Sequence, residues 1–202
     1  MLCHVLCRQS SIYLVGCLVA RALTRSFSCY VRTCVIVVDS THYAGFQGAI
    51  AARNILLPLT DLGVLSEIPA CTFTSPEVAS VGYTEAEAKQ EFGANQVAVS
   101  SLRLEKVDRA ICDGETKGIL KVVYRKKNGK ILGATMMCPA GGELISEISV
   151  AMKAGMPFEG LAKVIHPYPS YSIALQMMAA DVYYEKTMKL KPVYDFLKRI
   201  GL

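Results

Sequence analysis

A chain of 202 residues with 52% hydrophobic and 19% charged residues is long enough to bury a sizeable core and too apolar to be disordered. The formal net charge is +5, but residues 1–38 hold four arginines and no acidic residue, so the remainder is close to neutral and argues against a nucleic-acid-binding surface. The spacing of the eight cysteines and three histidines excludes a disulfide-stapled secreted domain and a zinc site, so we expect no metal and a reducing compartment.

The first forty residues leave their role open. The apolar run 12–20 is shorter than the roughly 20 residues that span a bilayer, but it suits the core of a signal peptide. The acid-free stretch 1–38 also suits an organellar transit segment or a membrane anchor, and the remaining alternative is an unrelated or mistranslated start. We therefore expect a cytoplasmic protein, or a mitochondrial or plastid one if 1–38 is a transit segment.

One cysteine pair in this region has the spacing of a redox-active disulfide. Cys29 and Cys34 form a CxxxxC pattern, which several flavoenzymes use. The chemistry requires a thiolate with a lowered pKa and a partner within bridging distance. No glycine flanks the pair and five cysteines fall within 34 residues, so chance is the favoured explanation.

A strand and a helix are predicted around residue 40. Val35–Val38 is a β-branched run that ends at Asp39 and suits a buried strand, with Asp39 as a turn residue. Residues 43–57 are free of proline and rich in glycine and alanine, which favours a helix packed closely against another backbone. Prolines at 58 and 69 bracket a linker after this helix.

The remainder of the chain predicts antiparallel strands and separate helices. A capping box from Thr84 to Glu87 opens a helix through Phe92, and the Asn128-Gly129 pair favours a tight hairpin. Strands are predicted at 71–73, 78–82, 96–102, 118–125 and 131–138, and further helices at 141–155, 158–164, from about 172, and near 192–200. This pattern indicates an α+β fold, an antiparallel sheet with helices on one side.

Several stretches resemble, in the same order, the pyridine nucleotide-disulfide oxidoreductases, nearest the branch that includes mercuric reductase. They are residues 41–54 (THYAGFQGAIAARN), 73–82 (FTSPEVASVG) followed by Thr84-Glu85, the hairpin leading to Gly133-Ala134, and 166–170 (HPYPS). The resemblance implies homodimers that bind FAD and a nicotinamide nucleotide, NAD(P), and pass electrons from NAD(P)H through the flavin to a disulfide or metal substrate. The C-terminal domain of the family forms the dimer interface, and its loop enters the partner's active site.

The resemblance divides the chain into three segments and leaves much of an enzyme missing. Residues 1–40 stay unassigned, 41–66 resemble the last helix and linker of an FAD-binding domain, and 67–202 resemble the dimerisation domain. No GxGxxG motif occurs in the sequence, so no phosphate-binding turn for either nucleotide is present. The redox cysteine motif in the setting of the family is absent as well.

Three residues align with flavin-contacting positions of the family. Relatives have a Gly-Asp pair whose aspartate holds the ribityl chain, whereas this chain has Val38-Asp39 and a shorter gap before Thr41, so a turn residue that ends the strand is the alternative role for Asp39. Thr41 and His42 align with residues whose backbone amides approach the pyrimidine edge of the flavin. Helix capping is the alternative role for His42.

The loop that contains His166 and Tyr168 aligns with the proton-transfer element of the family, His-Pro-Thr-x-x-Glu. Aligned on Pro169, the acid histidine falls on Tyr168 and its orienting glutamate on Ile173. A tyrosine here resembles the mercuric reductase type, but the chain ends without that enzyme's paired cysteines, so mercury reduction is not expected. The alternatives are an interface phenol for Tyr168 and a hydrogen-bonded structural residue for His166.

We therefore expect this chain to be the interface domain of an FAD- and NAD(P)H-linked disulfide oxidoreductase, and we expect the chain to be inactive by itself. In an enzyme formed with other chains, Tyr168, helped by His166, would supply a proton across the dimer. The alternative is a truncated interaction protein that dimerises with full-length relatives and regulates them, and a third is a small protein anchored to a membrane by 1–38. The apolar stripe from Ile173 through Tyr184 is expected to form the dimer core.

Overall fold

The computed structural model describes residues 41–57, 65 and 67–199, and the chain divides between residues 65 and 66 into two units. The predicted strand 35–38, the Cys29–Cys34 pair, Asp39 and the segment 1–38 lie outside the described residues.

The described helix of the first unit, α1 (Thr41–Leu56), confirms the helix predicted after residue 40. Its Tyr43 side chain is buried, and the hydroxyl accepts a hydrogen bond from the Leu65 amide at 3.4 Å. A Cβ atom built at Gly45 or Gly48 meets nothing within 4 Å. The close backbone packing expected for this helix is therefore not made by the described residues.

The second unit is built on one antiparallel sheet, which confirms the α+β prediction. Five strands lie in the order β1-β2-β5-β4-β3, and every neighbouring pair is antiparallel. Their bounds are β1 (Ala70–Thr72), β2 (Glu77–Gly82), β3 (Val97–Arg103), β4 (Ile119–Arg125) and β5 (Ile131–Cys138). All five correspond to predicted strands.

The main core lies between one face of this sheet and the helices that follow it in sequence. These are α4 (Gly141–Lys153), a 3-10 helix (Phe158–Lys163) and α5 (Ile173–Arg199). Leu120, Val122, Met136, Ile145, Ile148, Phe158, Leu175 and Met178 are at most 2% exposed in this cluster. Burying each large side chain contributes about 1.5–3 kcal/mol. Leu175 and Met178 of the predicted dimer stripe thus belong to the core of the monomer, because this side of α5 faces the sheet.

The opposite face of the sheet carries a smaller cluster. Adjacent strand residues point to opposite faces of a sheet. The side chain of Val123 of β4 therefore lies on the face opposite the main core, where it packs with Ala88 of helix α2 (Glu85–Phe92). Thr84 Oγ1 accepts a hydrogen bond from the Glu87 amide at 3.3 Å, and Glu87 Oε2 accepts one from the Thr84 amide at 2.9 Å. This is the predicted capping box.

The β4–β5 connection is a hairpin, as predicted, but its loop is longer than a tight turn. A two-residue type I′ turn needs a positive φ at both central residues, whereas Gly129 (φ 70°) has one and Asn128 does not. The Arg125 amide instead donates to the Lys130 carbonyl at 2.9 Å, which closes a four-residue loop. The Asn128 Oδ1 atom accepts a hydrogen bond from the Lys130 amide at 3.2 Å.

Two helices differ from the prediction. The helix from about 172 and the one near 192–200 are a single helix, α5, of 27 residues, and Pro192 does not end it. The prolyl residue removes one backbone donor but leaves the helix continuous on both sides. Helix α3 (Asp108–Asp113), which ends at Gly114 in a left-handed conformation (φ 72°), was not predicted, because six residues are too few for a periodic pattern.

Candidate functional site

The loop 164–172 lies along helix α3. The Tyr168 hydroxyl donates a hydrogen bond to Asp108 Oδ2 at 2.8 Å, and the Tyr171 hydroxyl donates one to Asp113 Oδ2 at 3.0 Å. Asp108 and Asp113 are the first and last residues of α3. The two bonds therefore tie the loop to both ends of the helix.

Tyr168 projects from this loop. Its side chain is 69% exposed, so the phenol is not locked inside the core of its own monomer. The Asp108 carboxylate raises the pKa of Tyr168, first by accepting a hydrogen bond from the neutral phenol and then by its charge. The raised pKa favours the protonated form of the Tyr168 hydroxyl, and its role in proton transfer stays a prediction.

The Tyr171–Asp113 bond is reinforced by an arginine. Arg109 Nε donates to the same Asp113 Oδ2 at 2.8 Å, and this hydrogen bond is the largest cause that lowers the pKa of Asp113. Burial, followed by the hydrogen bond to Asp113, raises the pKa of Tyr171 to about 12. Tyr171 is half-buried, so this second bond serves as the inner anchor of the loop.

His166 anchors the loop to helix α4. Its Nε2 lies 2.8 Å from Glu147 Oε1, its Nδ1 lies 2.9 Å from the Val164 carbonyl, and its side chain is 5% exposed. A carbonyl can only accept, so Nδ1 is the donor to Val164, while Nε2 faces the Glu147 carboxylate. Both ring nitrogens are therefore engaged. Within the described residues no hydrogen bond joins His166 to Tyr168, so the predicted assistance of His166 to Tyr168 stays a prediction.

The end of the loop caps helix α5. Ser170 Oγ accepts a hydrogen bond from the Ile173 amide at 3.3 Å and lies 3.0 Å from Ser172 Oγ. Ile173, aligned with the orienting glutamate of the family, is the first residue of α5. The carboxylate beside Tyr168 thus comes from Asp108 and not from the loop.

Sequence reasoning missed Asp108, Asp113 and Glu147. Asp108 is 60 positions from Tyr168, Asp113 is 58 from Tyr171, and Glu147 is 19 from His166. No local pattern marks such pairs, because only the path of the chain brings them together.

A cleft of about 230 Å³ opens beside the loop. It is lined by Ala140, Glu143, Leu144, Glu147, Ser170, Tyr171 and Ser172. Across the parts of the chain that the structure describes, no group of three or more His, Cys, Asp or Glu side chains is placed to hold a metal ion. None of the described helices is long and apolar enough to cross a membrane.

The other predicted site residues belong to the first unit. Thr41 and His42 form the first turn of α1, and His42 is exposed. Amides in the first turn of a helix have no carbonyl partner within that helix, so they are available to an acceptor. The flavin-contacting role of Thr41 and His42 stays a prediction.

Comparison with known proteins identifies the family to which this fold and loop are similar. Residues 68–179 match the family model of the pyridine nucleotide-disulphide oxidoreductase dimerisation domain. Dihydrolipoyl dehydrogenase of Bacillus subtilis is 39% identical over 141 residues, which cover 70% of this chain and 29% of that protein. Mercuric reductase of Bacillus cereus is 35% identical over 136 residues, which cover 67% of this chain and 21% of that protein.

Solved structures agree. LpdA from Mycobacterium tuberculosis superposes with a TM-score of 0.65 at 26% identity, covering 72% of this chain and 31% of that one. The HOCl-induced flavoprotein disulfide reductase RclA from Escherichia coli gives a TM-score of 0.61 at 28% identity, covering 66% and 30%.

The sheet, its helices and the loop define an oxidoreductase dimerisation domain of the flavoprotein disulfide reductase type. The chain belongs to the pyridine nucleotide-disulphide oxidoreductase family. It spans 29% of the length of the Bacillus subtilis relative.

Proposed function

We propose that this chain is the dimer-forming part of an FAD- and NAD(P)H-dependent disulfide oxidoreductase and has no turnover by itself. Its loop 164–172 would enter the flavin pocket of another chain, where Tyr168 transfers a proton. The observation that carries this proposal is the 69% exposed Tyr168 phenol, whose hydroxyl is held by Asp108 at 2.8 Å.

The chemistry requires such a group. Reduction of a disulfide releases thiolates that need protons, and a positioned acid contributes about 10²–10⁴-fold to such a step. The Asp108 carboxylate accepts a hydrogen bond from the Tyr168 hydroxyl and raises the pKa of the phenol, which favours its protonated form.

The fit of the chain to the two cofactors is unequal. FAD, when bound, passes electrons from NAD(P)H to the substrate, and the first-turn amides of Thr41 and His42 suit the acceptors at one edge of its ring. For the nucleotide phosphates the sequence offers no GxGxxG turn. Both cofactors would therefore be held mainly by another chain.

The test combines this chain with a full-length relative, such as the dihydrolipoyl dehydrogenase of Bacillus subtilis. Alone, the chain should sediment as a dimer, show no flavin absorbance and give no NADH-driven disulfide reduction. Mixed dimers formed by co-expression should turn over, and Tyr168→Phe in this chain should slow them by about 10²-fold or more. A monomer by sedimentation, or mixed dimers indifferent to Tyr168→Phe, would refute the proposal.

A second candidate is a regulatory partner that forms mixed dimers and lowers their activity. It is favoured by large apolar side chains that lie open on the described second unit, among them Phe73 (79% exposed) and Ile165 (85%). In the same co-expression experiment this function predicts mixed dimers with less than half the turnover of the full-length homodimer.

We further propose a cytoplasmic or organellar location, with membrane attachment only through residues 1–38, which fractionation with a carbonate wash would test.

A further inference from the structure

The position that should orient Tyr168 is occupied by a residue that cannot do so. Ile173 stands where the resemblance places a glutamate, and its side chain has no hydrogen-bonding atom. A proton-transferring side chain needs a neighbour that fixes its direction. In this chain the group that contacts the Tyr168 hydroxyl is the Asp108 carboxylate, at 2.8 Å.

Helix α3 holds Asp108 firmly. Val107, immediately before Asp108, and Ala110, two positions after it, are both 0% exposed and belong to the main core. At the other end of the helix, Asp113 bonds Tyr171 of the same loop. The loop is thus attached to α3 at two points, so the Tyr168 ring is restrained in direction as well as in position.

The two aspartates of α3 differ in their side-chain partners. Asp113 accepts from Arg109 at 2.8 Å, and this ion pair compensates its charge. Among the described residues, Asp108 receives its one side-chain hydrogen bond from Tyr168. Its charge is therefore available to act on the phenol.

We propose that Asp108 is the positioning residue of Tyr168 and that the two form a proton relay, in which the carboxylate on helix α3 exchanges a proton with the phenol. The relay rests on the proposed function, since it supposes that Tyr168 meets a sulfur substrate. The Tyr168 hydroxyl donates its hydrogen to Asp108, so the phenol oxygen keeps its capacity to accept a hydrogen bond from a substrate.

The step balances without any further reactant. In the dithiol-oxidising direction a thiol S–H bond breaks, and its proton forms a new O–H bond on Tyr168. The original Tyr168 hydrogen moves to Asp108, which becomes a neutral carboxylic acid, and the sulfur is left as a thiolate. In the disulfide-reducing direction the same transfers run backwards, and the product thiolate receives its proton from Tyr168 as Asp108 protonates the phenol.

The relay is tested on the full chain by titrating ¹³C-labelled tyrosines in NMR spectra. Tyr168→Phe identifies the signal of Tyr168, and the groups that face this phenol are Asp108 and Cys112, both on α3. Asp108→Asn keeps a hydrogen-bond acceptor but removes the charge, so the pKa of Tyr168 should fall towards its ordinary value. The matched control, Asp113→Asn on the same helix, should lower the pKa of Tyr171 and leave that of Tyr168 unchanged. An unchanged Tyr168 titration in Asp108→Asn would overturn the proposal.

Mixed dimers with a full-length relative supply the second measurement. Asp108→Asn should lower kcat and shift its pH profile while KM stays constant, and Asp113→Asn should leave the pH profile unchanged. Turnover that is insensitive to Tyr168→Phe would reject the proposed function. Turnover that falls with Tyr168→Phe but not with Asp108→Asn would reject the relay alone.

Discussion

Nε2 of His166 lies 2.8 Å from Oε1 of Glu147 and joins the start of the loop to helix α4. The other ring nitrogen of His166 is engaged by the Val164 carbonyl at 2.9 Å, so the imidazole links the Glu147 side chain to the backbone of the loop. The position of Tyr168 therefore depends on three attachments: one to α4 through His166, and two to α3, through its own hydroxyl and through Tyr171.

Replacing His166 by alanine should destabilise the second unit. The change leaves the carboxylate of Glu147, whose side chain is 28% exposed, without its partner and releases the loop from α4. We expect a loss of about 1–3 kcal/mol in the free energy of unfolding, measured by urea denaturation. The control His42→Ala removes an exposed histidine of α1 and should change stability by less than about 0.5 kcal/mol. Equal losses in the two variants would contradict the anchoring role.

Gly133 should not tolerate a side chain. A Cβ at this position of β5 would lie 2.1 Å from the Tyr83 carbonyl oxygen and 2.6 Å from the Tyr83 nitrogen, and backbone atoms cannot turn aside. Gly133→Ala should therefore destabilise the sheet by about 1–3 kcal/mol or more, seen as a lower urea midpoint. Gly160→Ala is the control, because the atom nearest to its Cβ would be Met156 Cγ at 2.9 Å, which belongs to an unbranched side chain and not to the backbone. A loss for Gly160→Ala as large as that for Gly133→Ala would disprove this explanation.

The contribution of Tyr171 to the free energy of unfolding should be lost at high pH. Its pKa is raised to about 12, above the value of about 10 for an unfolded chain, so between these values the folded state binds more protons than the unfolded one. The contribution of Tyr171 is complete below pH 10 and is lost as the pH rises towards 12. Urea denaturation from pH 9 to 11.5 should show a shallower decline in Tyr171→Phe than in the unmodified chain. Tyr184→Phe, at a position that is 64% exposed, should leave the decline unaltered.

Cys138 and Cys112 should differ sharply in reactivity. Cys138 is 0% exposed, and burial raises its pKa to about 11, whereas Cys112 lies exposed on α3. Thiolates are the reactive species, so iodoacetamide near pH 8 should modify Cys112 in the folded chain and Cys138 only after unfolding. Peptide mass mapping distinguishes the two sites. Similar rates of modification in the folded state would show that the sheet opens readily.

Local patterns were enough to predict most of the fold. The strand-forming runs, the Thr84–Glu87 capping box and the helix that begins at Gly141 depend on neighbours two to four positions apart, and such neighbours are visible in the sequence. The likeness of 166–170 to the family element likewise located the loop. Helix α3 was not found, since its six residues contain less than two turns of a pattern.

The amino-acid sequence by itself determined that residues 67–202 contain an antiparallel sheet, helices and a loop with Tyr168 and His166. Only the tertiary structure decided what these two side chains contact, because Asp108 and Glu147 lie 60 and 19 positions away. It also decided that Leu175 and Met178 fill the core of the monomer. Periodicity shows that a helix has an apolar face, but the element that covers this face is set by the packing of the whole chain.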